Sequence, residues 1–194
     1  MNDVAVLNSR YGPLDMGEGL SIGVYEAAGR SVLHKAWARL RLGYRGRGQP
    51  FSADIKVEVG TLIPVTSGFL KVTAIKDETV SIARAPELVA GLSAGPGILA
   101  FLGGPAEIAD IDGGTAVLLE KIDAATHRGS LVAWDRKYGG HEKPEAERLK
   151  VAITSTELSV GEALRHGGRA YRVSAIVPPD PARGVVGWVE LSSP

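Results

Sequence analysis

Leu70-Lys71-Val72-Thr73-Ala74-Ile75 and Tyr171-Arg172-Val173-Ser174-Ala175-Ile176 decide how this chain is read. The two stretches stand 101 positions apart, and the same offset carries Val59-Gly60 onto Val160-Gly161 without a gap. Upstream, Glu26-Ala27-Ala28 through Ala36-Trp37 aligns with Asp123-Ala124-Ala125 through Ala133-Trp134 at an offset of 97. Small residues align by chance in a chain rich in alanine and glycine. Two blocks in the same order, each ending on matched large residues, favour internal duplication, and a period this long means two modules rather than a solenoid.

Working outward, both copies read as strands. Phe51, Ala53, Ile55, Val57 and Val59 alternate with Ser52, Asp54, Lys56 and Glu58, the period of a strand with one buried face. Leu149, Val151 and Ile153 alternate with Lys150 and Ala152 in the corresponding place and are expected to face inward in the same way. Phe69 to Ile75 and Thr79 to Ala83 flank Lys76-Asp77-Glu78, which suits a hairpin. Their counterparts, Tyr171 to Val177 and Val185 to Leu191, flank Pro178-Pro179-Asp180-Pro181, a stiff excursion that neither strand nor helix can continue through. Leu20 to Glu26 and Ala116 to Asp123 read as strands entering turns, and the segments after those turns, about Val32 to Leu42 and Ser130 to Tyr138, are read as strands too.

These readings give an all-β fold of two tandem small β-barrels or β-sandwiches. The first module is expected over residues 1–84 with an N-terminal extension, a connector over 85–112, and the second module over 113–194. The connector has one candidate helical turn at Pro86 and many glycines, yet Ile98, Leu99, Phe101 and Leu102 predict that it packs against a module rather than hanging free.

Composition narrows function mainly by exclusion. The 194 residues carry 22 basic and 22 acidic side chains, so no net field draws nucleic acid or an anionic membrane. No cysteine is present, which removes disulfides and thiolate chemistry. The N-terminal residues lack the basic start and apolar core of a signal peptide, and no apolar run approaches a membrane span, so a cytoplasmic protein is expected. The bias toward Arg, Ala and Gly suggests a GC-rich bacterial genome.

No motif for a cofactor or metal survives inspection. The cluster Gly43-Tyr44-Arg45-Gly46-Arg47-Gly48 has the wrong spacing for a dinucleotide or phosphate loop and reads as a turn. His34, His127, His141 and His166 lack paired zinc-ligand spacing, and His127 and His166 fall in turns where a solvated imidazole is ordinary. Asp110-Ile111-Asp112-Gly113 lacks the later ligands of a calcium loop, and no Gly-x-Ser-x-Gly elbow occurs.

One surface feature remains: Lys35, Trp37, Arg39 and Arg41 project from one face if their segment is a strand, with Tyr44, Arg45 and Arg47 following. Such a face could stack on bases or bind phosphate, or it could be a solvated outer face whose arginines pair with acids. In the second module the proline-rich loop from Pro178 to Gly184, with Arg183 at its tip, is the expected protein contact. The sequence therefore points to a non-enzymatic interaction or assembly protein, such as a structural subunit of a bacterial or phage-related machine, with a protein partner or a homo-oligomer. The alternative is a ligand-binding module for nucleic acid or glycan built on the basic-aromatic strand.

Overall fold

The computed structural model describes residues 4–29, 34–45, 49–65, 68–85, 97–109, 114–135 and 153–192. Sixteen strands run through them. The first eight are β1 (Val4–Asn8), β2 (Leu14–Gly17), β3 (Leu20–Ala28), β4 (Trp37–Tyr44), β5 (Phe51–Glu58), β6 (Leu62–Val65), β7 (Gly68–Lys76) and β8 (Thr79–Arg84). The remainder are β9 (Ile98–Phe101), β10 (Pro105–Ile108), β11 (Thr115–Asp123), β12 (Arg128–Asp135), β13 (Ile153–Ser159), β14 (Ala163–His166), β15 (Arg169–Val177) and β16 (Trp188–Ser192).

The chain is all-β, and its sheets are open. Two four-stranded sheets, ordered β1-β8-β7-β6 and β14-β15-β16-β9, pack against an eight-stranded sheet ordered β13-β12-β11-β10-β5-β4-β3-β2. Closed barrels are thus replaced by a layered arrangement in which one sheet runs through both halves. The layers follow from alternation. Ala38, Leu40, Leu42 and Tyr44 of β4 and Leu131 and Ala133 of β12 are buried on one face, and they join a single apolar cluster that extends from Leu7 to Leu191. Clustering of this extent is the usual content of one hydrophobic core.

The pairing order of β1 to β8 recurs in β9 to β16. Strands β2 to β5 form a meander, as do β10 to β13. Strands β6 to β8 form a second, as do β14 to β16, and β1 and β9 each lie against the last strand of their half. The hydrogen bonds repeat in detail. Gly60 N–H donates to Val72 O at 2.8 Å and Val72 N–H to Thr61 O at 2.9 Å, while Gly161 N–H donates to Val173 O and Val173 N–H to Glu162 O, both at 2.8 Å. Here the chain leaves the large sheet for a small one. The corner needs φ of +94° at Gly60 and +92° at Gly161, a region that glycine enters without strain. Bulges recur too, at Tyr25 in β3 and Glu120 in β11, and at Thr73 in β7 and Ser174 in β15.

Several sequence expectations are corrected by the registers. Trp37 opens β4 opposite Ala28, the last residue of β3, whereas Trp134 lies near the end of β12 opposite Ala116, near the start of β11. The two tryptophans share a strand position in the pairing order but sit at opposite ends of it. The bulges instead align Leu40 with Leu131. The physical reason is loop length: residues 29–36 join β3 to β4, whereas the tight turn 124–127 joins β11 to β12.

Ile153 faces outward and is 67% exposed, because Thr154, Thr156 and Leu158 occupy the inward positions of β13; Leu149 and Val151 lie outside the described residues. The segment expected to connect the modules holds two strands, β9 and β10, which belong to two different sheets. Its candidate helical turn at Pro86 is outside the described residues.

Candidate functional site

The basic-aromatic strand is β4, and its outward face carries Trp37, Arg39 and Arg41 as expected; Lys35 precedes the strand and is exposed. Tyr44 does not belong to that face. Its parity points it inward, where it is 8% exposed and its ring lies 5.6 Å from that of Phe51. Arg47 lies outside the described residues.

The outward face is electrically mixed rather than basic. Arg41 makes a bidentate contact with Asp54 of β5, Nε to Oδ1 at 2.7 Å and Nη2 to Oδ2 at 3.2 Å, and lies 4.0 Å from Glu107. The hydrogen bond that Arg41 donates to Asp54 raises the Arg41 pKa above its ordinary value against partial burial. Its guanidinium carbon also sits 4.7 Å from the Tyr25 ring centroid. Arg39 stands between Glu26 and Lys56 in the cross-strand register, and the Lys56 ammonium lies 5.0 Å over the Trp37 ring. Arginine engaged in a planar fork with carboxylate has its donors committed, which disfavours phosphate recognition at this face.

A second cluster was missed by the sequence reading. His166 is 4% exposed, not solvated, at the end of β14. Its Nδ1 hydrogen-bonds the Thr154 hydroxyl at 2.9 Å, and its Nε2 lies 3.5 Å from Asp135 Oδ1, too poorly placed for a hydrogen bond. Arg169 stands 3.7 Å from the same carboxylate oxygen. Hydroxyl, imidazole and carboxylate meet here in a triad-like order, but the imidazole is sealed among β12, β13 and β14. The cluster ties three strands together. His166 had no sequence signal beyond its place in a Gly-rich hairpin. Among the described residues no three His, Cys, Asp or Glu side chains converge as a metal site.

The Pro178 to Gly184 loop is committed within the chain. Asp180 caps a short 3-10 turn, Pro181–Arg183, and accepts from the Arg183 N–H. Beyond it, Gly184 O accepts from Leu62 N–H at 2.9 Å, and Val185, 3% exposed, bridges Leu62 of the first half. Arg183 is exposed at the tip, as expected, but the loop's base clamps the two halves to each other.

The remaining candidate is the ends of the eight-stranded sheet. Inside it, β10 pairs antiparallel with β5 through Ala106–Ala53, Glu107–Ser52 and Ile108–Phe51, and this seam joins the halves. At the ends, β2 and β13 have one partner strand each among the described residues. Exposed apolar side chains mark both ends: Tyr11 and Leu14 at β2, Ile153 at β13. No helix among the described residues is long and apolar enough to cross a membrane.

Comparison with protein-family models, with curated proteins and with solved structures gave no match.

Proposed function

We propose that this chain is a non-enzymatic assembly protein, built from two copies of one β module, that binds protein by adding strands to the ends of its large sheet. The observation that carries this reading is that β2 and β13, at the two ends of a continuous eight-stranded sheet, each have one partner strand among the described residues. An unpaired edge presents a row of N–H and C=O groups that another strand can satisfy, and natural sheets commonly blunt such edges. Pro13 blunts β2 only at its start, and β13 has neither proline nor lysine along Ile153–Ser159.

The test is the native mass of the protein in a lysate of its source cells. The wild-type chain is expected in a complex well above its own 20.3 kDa. A variant carrying both Gly12→Val and Ile153→Asp, one change at each edge, is expected near the monomer mass. A wild-type chain that migrates as a monomer, or a complex that survives both changes, contradicts the reading.

A further inference from the structure

The chain contains a worked example of what fits its own edges. In the recurring pairing order β10 holds the place of β2, and β5 holds the place of β13. The bulges at Tyr25 and Glu120 set the correspondence: Ile22 matches Val117 and Ser21 matches Ala116, so their partners Leu14 and Asp15 match Ala106 and Glu107. Gly12-Pro13-Leu14-Asp15 therefore lies on Gly104-Pro105-Ala106-Glu107, a resemblance visible in the residues themselves. On the other side, the matched corner hydrogen bonds place Asp54 on Ser155 and Ser52 on Ile153.

Gly104 shows what the seam demands. A β-carbon there would stand 2.0 Å from Asp54 O, so only glycine lets β10 and its approach close on β5. Gly12, its counterpart, has no atom of the described residues within 4 Å of the same position and no positive φ, so nothing among the described residues requires a glycine there. The requirement appears once a strand equivalent to β5 lies beside β2, and β13 of another copy is such a strand.

Resting on the assembly reading above, we infer that the partner is a second copy of this chain, joined head to tail, with β13 of one copy antiparallel to β2 of the next. The contact repeats the β5–β10 seam: Thr154 opposite Leu14, Ile153 opposite Asp15, and Ser155 O against Gly12. The two surfaces differ, so the contact is heterologous and propagates, closing into a ring or continuing as a filament. It lacks one element of the internal seam. The β7–β8 hairpin, in the place of the Pro178 to Val185 excursion, turns at Asp77-Glu78 and brings no clamp, so assembly depends on concentration.

Single-edge variants test this with the purified full chain. Gly12→Val blocks only the β2 edge. Ile153→Asp, at a side chain 67% exposed, blocks only the β13 edge by setting a carboxylate opposite Asp15. By sedimentation velocity the wild type is expected to assemble as concentration rises, and each variant alone to stay a monomer. Mixed in equal amounts, the two variants are expected to form a heterodimer and nothing larger, because one good edge remains on each. Circular dichroism and melting of each variant check that the fold is intact. A wild type that stays monomeric overturns the inference, as does a single variant that still dimerises through like edges, or a mixture that remains monomeric. If the purified chain is monomeric while the lysate complex depends on both edges, the assembly reading stands and the second copy is excluded.

Discussion

Gly104 lies so close to Asp54 that a β-carbon on the glycine would stand 2.0 Å from the aspartate carbonyl oxygen. That approach seats β10 on β5 and lets one sheet serve both halves of the chain. Because the neighbour is backbone, no rotamer change can relieve the clash. Gly104→Val is expected to cost about 3 kcal/mol, within the upper range for overpacking, whereas Gly12→Val stays within about 0.5 kcal/mol. Urea unfolding of both variants at concentrations where the chain is monomeric checks the contrast.

The excursion between β15 and β16 gives a second expectation. Replacing Pro178 to Gly187 by a short Asn-Gly turn removes the Gly184 carbonyl that receives Leu62 N–H and the Val185 side chain buried beside it. Losing one fully buried valine and leaving an N–H unsatisfied is expected to cost about 3 kcal/mol. Thermal melting of the variant should show a lower, broader transition as the halves lose their clamp. An unchanged melt contradicts the clamp.

Around His166 the polar contacts are structural. Thr154→Val keeps the shape but leaves Nδ1 of a buried ring without its 2.9 Å partner, at an expected cost of about 1–3 kcal/mol. Denaturant unfolding checks it.

Asp123 supplies a pH signature at the β11–β12 turn. Its carboxylate accepts from the N–H groups of Ala125 and Thr126 at 2.9 and 3.2 Å, and these bonds hold its pKa below the ordinary carboxylate value. A depressed folded-state pKa contributes stability above the unfolded value, about 3.9, that is lost as pH falls through the folded one. Asp123→Ala is therefore expected to lower the melting temperature at neutral pH, and the gap to wild type should close in acid below about pH 4. A gap independent of pH counts against these hydrogen bonds.

Much of this fold was legible in the residues. Period-two alternation located β5, the β7–β8 hairpin located itself by Asp77-Glu78, and the offset of 101 matches the corner hydrogen bonds at Gly60 and Gly161. The alignment of Trp37 with Trp134 misled, because unequal loops after β3 and β11 shift the two strands along their own axes. Strands β2 and β10 were invisible to periodicity: each is four residues long, β2 following Pro13 and β10 beginning at Pro105. The two segments nonetheless share a Gly-Pro pair, Gly12-Pro13 in the N-terminal extension and Gly104-Pro105 in the expected connector. The basic face was half legible. The arginines could be placed by parity, but Asp54 and Glu107, which neutralise Arg41, come from a strand pairing that sequence spacing does not reveal. The burial of His166 depends wholly on the packing of β12, β13 and β14.

Residue-resolved amide hydrogen exchange, followed as the concentration of the purified chain is raised, tests the edge pairing most directly. Protection is expected to grow at Leu14–Asp15 and at Ile153–Ser155 together, while the interior strand Trp37–Tyr44 keeps the same protection throughout. Exchange at both edges that is independent of concentration, or protection that grows at one edge alone, contradicts head-to-tail pairing of β2 with β13.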